Sequence, residues 1–332
     1  MESRRNLGAH GPKMSPVGFG AGAIGYTEDW TAADDRGAEA AIRHVLERGV
    51  NWVETAACYG IGHSERVVGR VVGEMPAEER PLIVTKCGLE IDSRDPSIHP
   101  RFSASPERIR QDCEDSMARL GVEAIDVFLL HWPGETTPVE ESWGAMAELA
   151  AAGKARWIGV SNFSVDQLSR CQAIRHVDCL SPPFSLIKRD AAADVIPWCR
   201  ENGTGVLVYS PLEVGILTGH YTRARAEALK QVNWRSDWRS KSPEYQEPRL
   251  SRNLALVDAL GEVAAAQGVS VAAVALAWAL AQGITGTITG AKSPQQADEW
   301  LSAGDLELAA EDLAWIARAL EATGAGEGPI PS

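Results

Sequence analysis

Eight short apolar runs, separated by amphipathic stretches, restrict this chain to a narrow set of architectures. The runs lie at 16–19, 51–54, 82–86, 124–130, 155–160, 178–181, 205–209 and 286–289. Strand-length runs alternating with helix-length ones are what parallel βαβ units require. The helical stretches carry apolar residues at core spacing, as in Ile109, Cys113, Met117 and Leu120. Ser105-Pro106-Glu107 opens that one as an N-cap with Pro at the first helical position. Eight such units favour a closed (β/α)8 barrel over an open doubly wound sheet, and 332 residues is an ordinary length for one such barrel with insertions. The expected domain runs over 14–325, with terminal tails at 1–13 and 326–332.

Two regions break the alternation. Residues 220–253 are long and polar and read as a large rim loop between the seventh strand and its helix. The stretch 306–322, with Leu306, Leu308, Leu313, Ile316 and Leu320, reads as an extra C-terminal helix, followed from Gly324 by a tail expected to fray.

Charge and cysteine usage exclude several function classes. A formal charge of -13, with no Lys/Arg run, argues against nucleic acid or an anionic membrane as partner, although a local basic cluster can still hold one phosphate. The N-terminus has no signal-peptide pattern and no apolar stretch reaches membrane-spanning length, so a cytoplasmic location is expected. The six cysteines are scattered without CxxC spacing, which argues against a zinc knuckle or a disulfide framework, and no metal is expected. Oligomeric state is not readable.

Three of the runs lead into polar residues that a barrel gathers on one rim, where such barrels do their chemistry: Glu54 and Tyr59, Lys86, and His131. A phenol is a poor acid, with an unperturbed pKa of about 10. A neighbouring Lys86 ammonium would stabilise the phenolate and lower the pKa of Tyr59, and a Glu54 carboxylate would keep that ammonium charged. His131 can hydrogen-bond a substrate oxygen. Cys58 and Cys87 flank this set, but Cys87 should face away from Lys86 by strand alternation, and packing is the expected role of both. Gly20-Ala21-Gly22-Ala23-Ile24-Gly25 fits the GxGxxG string, yet polar, unhelical residues follow it, so the context of a Rossmann turn is missing.

The strings GVNWVETAACYGIGHSE, VTKCG, LLHWP, IGVSNFS, VYSPLEVGILTG and ITGAKSPQQ, in this order and spacing, resemble an aldo-keto reductase of the longer bacterial branch from about residue 14 to 325. The resemblance implies a (β/α)8 fold, a nicotinamide cofactor extended across the rim, and a catalytic tetrad of Asp, Tyr, Lys and His. Tyr59, Lys86 and His131 match directly. Glu54 stands where the family has Asp, which moves the carboxylate by about 1.5 Å, one C–C bond. Pairing of Glu54 with Lys86 is still expected, because leaving an ammonium unpaired in a partly desolvated site costs more than shifting a strand end.

The same resemblance implies the cofactor contacts. Ser161 and Asn162 match the pair that holds the nicotinamide carboxamide, Ser181 replaces the usual Gln, and Phe184 is read as the aromatic stacked on the nicotinamide. Tyr209, Ser210, Pro211, Leu212, Gly215 and Leu217 fall in the pyrophosphate-wrapping segment, and Gly20 in the first rim loop. Gly290, Lys292, Ser293 and Gln296 open a helix after the last strand, where backbone amides and a cation favour a phosphate. Lys292 and Ser293 there imply NADPH rather than NADH. Trp300 replaces the adenine-side Asn and either stacks on adenine or packs against the barrel.

The activity implied is NADPH-dependent hydride transfer to an aldehyde or ketone, sugar-like or a secondary-metabolite carbonyl, with Tyr59 as general acid. Gly22 hints at a roomy pocket, and Trp30, Trp132, Trp234 and Trp238 are expected to supply aromatic walls. The alternatives are a cofactor-assisted epimerase on the same barrel, or a cofactor-sensing binding subunit with little turnover.

Overall fold

The protein is described here from a computed structural model, which covers residues 1, 3–25, 31–90, 101–230 and 238–331. All eight expected strands form, within one residue of the expected bounds: β1 Val17–Gly20, β2 Trp52–Glu54, β3 Leu82–Cys87, β4 Ile125–Leu130, β5 Ala155–Ser161, β6 Cys179–Ser181, β7 Gly205–Val208 and β8 Gly286–Thr289. Each pairs in parallel with the next, and β8 pairs with β1, so the sheet closes into a barrel. Strand alternation then divides the core in two. Val84, Val127, Leu129, Cys179 and Leu207 fill the barrel interior. Their strand neighbours Ile83, Phe128, Leu130, Leu180, Val206 and Val208 pack outward under the helices. Cys87 falls in the outward set, as the alternation requires.

The helical layer comprises α1 Ala32–Glu47, α2 His63–Gly73, α3 Pro106–Leu120, α4 Val139–Ala151, α5 Val165–Gln172, α6 Val195–Asn202, α7 Arg223–Lys230, α8 Arg249–Gln267, α9 Val271–Ala281, α10 Pro294–Leu301 and α11 Ala310–Thr323. Local sequence sets their starts. Ser105 Oγ accepts from the Arg108 amide at the head of α3, and Thr31 forms a capping box with Asp34 at the head of α1. The polar segment 220–253 is more ordered than a loop: α7 lies within it, two 3-10 turns follow at Trp238–Lys241 and Pro243–Tyr245, and α8 begins at Arg249. No single helix among the described residues is long and apolar enough to cross a membrane.

Both ends of the chain depart from the tails expected of them. Arg5–Asn6 and Lys13–Met14 form an antiparallel hairpin. Its Leu7 and Met14 are fully buried and join the interior cluster, while Gly8 lies against the backbone of residues 203–205, where β7 begins. The hairpin therefore closes the barrel at the end opposite the rim. At the other terminus, the residues after Gly324 are pinned rather than frayed. The buried Arg189 guanidinium donates to the carbonyls of Leu186, Ala325, Gly328 and Pro329. Around it the Glu327 amide donates to Ile187 O at 2.8 Å and the Arg189 amide to Glu327 O at 2.9 Å. A buried cation offered only carbonyl oxygens holds them tightly, because neither side has water as an alternative.

Arg189→Ala should therefore release the segment 325–330 and cost about 2 kcal/mol, the desolvation penalty of the carbonyls left unpaired. The check is hydrogen exchange at the Glu327 amide together with the urea midpoint. An unchanged midpoint and a still-protected Glu327 amide would rule out the clamp.

Candidate active site

The C-terminal ends of β2, β3 and β4 bring the sequence-predicted polar residues together. Glu54 ends β2, Lys86 stands next to last on β3, and His131 follows β4. Tyr59 returns over them from a turn in which its amide donates to Ala56 O at 3.1 Å. The Lys86 ammonium donates to Glu54 Oε1, to Tyr59 Oη at 2.9 Å and to the Thr55 carbonyl at 3.2 Å. Tyr59 in turn donates to Glu54 Oε1 at 3.1 Å. Glu54 thus meets both partners, the pairing with Lys86 expected of it and a direct bond to the phenol. Gly20 lies beside this carboxylate, and a Cβ there would crowd the Ile288 side chain at 2.7 Å.

Burial decides the protonation of this triangle. Glu54 and Lys86 are each 2% exposed. Desolvation pulls the Lys86 ammonium down to about 7. The Tyr59 phenol is pushed above its ordinary value by desolvation. This reverses the lowering expected from the nearby ammonium, because desolvation of the phenolate outweighs the help of Lys86. The phenol consequently keeps its proton at neutral pH. His131 is held well below the usual imidazole value, first by burial and then by the Lys86 charge, so it is neutral. Its ring meets Tyr59 edge-on, with centroids 5.8 Å apart.

Cys58 is the residue that sequence reasoning set aside. Its Sγ lies 3.5 Å from His131 Nδ1. Strand periodicity placed Cys87 correctly but says nothing of a loop position, so only its place beside Tyr59 signalled Cys58. Among the described residues no group of three or more metal-ligating side chains occurs.

On the nicotinamide side of the implied cofactor path, Ser161 and Asn162 end β5 and Ser181 ends β6, and the register pairs Ser181 with Ser161. Asn162, in a left-handed conformation at φ 63°, donates to His131 O at 3.0 Å and to Ser161 Oγ at 2.9 Å, and accepts from Tyr209 Oη at 2.7 Å. Phe184 does not belong to this surface: it is fully buried and stacks on Trp278 in the helix-facing core. Tyr209, just beyond β7, is the aromatic on the inner side. The error arose because the string around Phe184 fixes a position in sequence, while the direction of the ring depends on the irregular turn after β6.

Beyond β7 the chain takes positive φ at Ser210, Glu213, Val214 and Gly215. A β-branched residue such as Val214 at φ 51° is strained and persists only where its surroundings impose it. Tyr245 imposes it, with Oη 2.9 Å from Glu213 O and 3.0 Å from Val214 O. Desolvation raises the partly exposed Glu213 carboxyl to about 7. Pro211 and Leu217 are buried, and Ser210, Leu212 and Gly215 are partly open. A cleft of about 580 Å³ borders this segment, lined by Gly215, His220, Arg225, Arg239, Gln296 and Glu299 among others.

At the head of α10, Ser293 Oγ accepts from the Gln296 amide, and the Lys292 amide donates to Gln296 Oε1. Gly290 and Lys292 are exposed. Trp300 is 2% exposed and lies in the core, so of its two readings packing against the barrel is the one adopted. Trp132 is half-exposed and meets Phe102 edge-on. Trp30 and Trp234 fall outside the described residues, and Trp238 opens a 3-10 turn.

These residues fit a nicotinamide dinucleotide. Ser181 Oγ is buried without a partner among the described residues, next to the Ser161–Asn162 pair. Gly22 leaves open the space beside Tyr59, since a Cβ there would touch the phenol ring at 3.5 Å. A positively lined cleft and an exposed lysine at a helix N-terminus continue the path.

Comparison with known proteins agrees. The sequence model of the Aldo/keto reductase family matches residues 16–321. The chain belongs to the aldo-keto reductase family. It is 33% identical to "Aldo-keto reductase YhdN" of Bacillus subtilis (strain 168) over 315 residues, 94% of this chain and 92% of that protein. It is 30% identical over 330 residues to the "NADH-specific methylglyoxal reductase" of Escherichia coli (strain K12), 95% and 98% of the two chains. Among solved structures, the glycerol dehydrogenase AKR11B4 from Gluconobacter oxydans superposes with a TM-score of 0.88 at 31% identity, covering 99% of this chain and 98% of that one. As an aldo-keto reductase the chain is a nicotinamide-dependent oxidoreductase acting on small carbonyl compounds.

Replacing the carboxylate tests the buried pair. Glu54→Gln leaves the ammonium without its counter-charge and should cost about 3 kcal/mol, whereas Glu54→Asp, which keeps the charge, should cost clearly less. Chemical denaturation of the two variants at pH 6 is the check, and equal losses would show that charge is not what holds the triangle.

Proposed function

We propose that this aldo-keto reductase is an NADPH-preferring carbonyl reductase in which Tyr59 is the general acid. The observation that carries the reading is the closed triangle of Glu54, Lys86 and Tyr59, with a protonated phenol at the open end. A bound reduced nicotinamide supplies the hydride that reduces the carbonyl carbon. Tyr59 gives its proton to the oxygen as negative charge develops there. Lys86, 2.9 Å from Tyr59 Oη, stabilises the phenolate left behind. Glu54 pairs with the Lys86 ammonium and holds it in place. His131, neutral and partly open at the rim, donates to the same oxygen and orients the substrate.

Support for NADPH comes from Lys292, exposed at the head of α10, whose ammonium has no ion pair among the described residues. Against it stands the relative described as NADH-specific. The space beside Gly22 and the Trp132–Phe102 edge support a sugar-like or secondary-metabolite carbonyl larger than a simple aldehyde. All six cysteines are free and buried, which suits a reducing cytoplasm.

Two measurements test this. Tyr59→Phe should lower the reduction rate at least a hundredfold while leaving cofactor binding, read by tryptophan fluorescence quenching, intact; retained turnover would remove Tyr59 as the acid. In the same titration, Lys292→Ala should weaken NADPH and leave NADH unchanged, and tight NADH binding indifferent to Lys292 would make the enzyme NAD-linked.

The pH dependence has a defined sign. Lys86 falls from 10.5 to about 7 in the fold, so its ammonium is present below about 7 and lost as pH rises through that value. Reduction should therefore be fastest below pH 7 and decline above it, with oxidation of the alcohol showing the opposite trend. A reduction rate that climbs between pH 6 and 9 would contradict the assignment.

A further inference from the structure

His131 meets a substrate oxygen usefully only if the nitrogen pointing at that oxygen carries a proton. A neutral imidazole has one proton for two nitrogens, and a neighbour at one nitrogen decides the tautomer. In this chain that neighbour is Cys58, whose Sγ lies 3.5 Å from Nδ1, while Nε2 has no hydrogen-bond partner among the described residues.

We propose that Cys58 is a positioning residue for His131: its thiol donates to Nδ1 and holds the ring in the tautomer protonated at Nε2, the nitrogen left for the substrate oxygen. This rests on the reading of His131 as the group that orients the substrate.

Three physical points support the direction of the bond. An imidazole nitrogen is a good acceptor and a thiol sulfur a weak one, so S–H to Nδ1 is the favourable arrangement of the two. Burial raises the Cys58 thiol above its ordinary value, which keeps the proton to be donated on sulfur. Burial and the Lys86 charge keep His131 neutral, so Nδ1 has a lone pair to accept it. The backbone fixes both partners: the His131 amide donates to Cys87 O at 2.9 Å, and the turn holding Cys58 is closed by the bond from Tyr59 N to Ala56 O. An alanine at 58 would keep the fold of that turn and remove only the donor. A serine would keep a donor at the cost of a small approach by the ring.

Long-range proton–nitrogen NMR of protein labelled in its histidine rings reads the tautomer directly, with the His131 signals assigned by their loss in His131→Asn. The wild type and Cys58→Ser should show the Nε2–H pattern, and Cys58→Ala a mixture or the Nδ1–H form. In parallel, kcat/KM for carbonyl reduction should fall roughly tenfold in Cys58→Ala, the size set by one neutral hydrogen bond, with the KM for cofactor unchanged, and Cys58→Ser should recover most of it. An Nδ1–H or doubly protonated ring in the wild type overturns the proposal, as does a pure Nε2–H ring in Cys58→Ala. Because the NMR readout needs no turnover, failure of the carbonyl-reductase reading would appear separately, as a wild type with the expected tautomer and no activity on any carbonyl.

Discussion

The buried ammonium of Lys86 is the constraint around which the rim is organised. Removing a lysine charge from water costs several kcal/mol unless oxygen atoms replace the solvent on every side it can donate to. Glu54, the Thr55 carbonyl and Tyr59 Oη provide three such oxygens. Meeting that requirement fixes the turn after β2, because Thr55 and Tyr59 contribute from positions only four residues apart. It also fixes the phenol against the carboxylate, and the His131 ring, which must remain neutral beside the same charge.

The cofactor side obeys a different constraint. A chain with a formal charge of -13 repels an anionic dinucleotide at long range, so attraction has to be local. Arg225 and Arg239 line the cleft beside the β7 loop, and Lys292 stands at the helix N-terminus beyond it. The loop between them is held in left-handed conformations at Glu213 and Val214 by the Tyr245 hydroxyl. The polar segment after residue 220 therefore does more than border the rim. It carries Arg225 and Arg239, and it supplies the hydrogen bonds that offset strain in the segment proposed to wrap the pyrophosphate.

Sequence legibility followed the same physical divide. Strand bounds and the inward or outward direction of Lys86 and Cys87 were readable because a two-residue period leaves no choice once one face is assigned. Glu54, Tyr59, Lys86 and His131 were readable because three of them sit at or just beyond strand ends and the fourth follows a short turn. Orientation in irregular backbone was not. Phe184 lies past β6 and turns into the outer core, while Tyr209, read only as part of the segment after the seventh strand, packs on the inner side. Cys58, read as packing, is buried as expected, while its approach to His131 depends on the loop conformation. The C-terminal segment was misread on composition: Gly and Pro from Gly324 onward suggested fraying. In the structure, close approach to Ile187 and Arg189 is what the glycines at 326 and 328 permit. The raised Tyr59 pKa also lay beyond the sequence, since proximity of Lys86 was inferable but depth of burial was not.

The extra methylene of Glu54 alters the chemistry as well as the geometry. With the carboxylate reaching Tyr59 Oη at 3.1 Å, the phenol proton already has a charged acceptor. A ketone oxygen is a weaker acceptor than a carboxylate, so a neutral substrate does not draw the proton away. In the mechanism proposed for Tyr59, negative charge building on that oxygen would raise its basicity until it outcompetes Glu54. Lys86 then stabilises the phenolate from the side where it already sits. The interaction between Tyr59 and substrate is consequently weak in the ground state and strong in the transition state, the condition under which binding energy accelerates a reaction rather than merely tightening the complex.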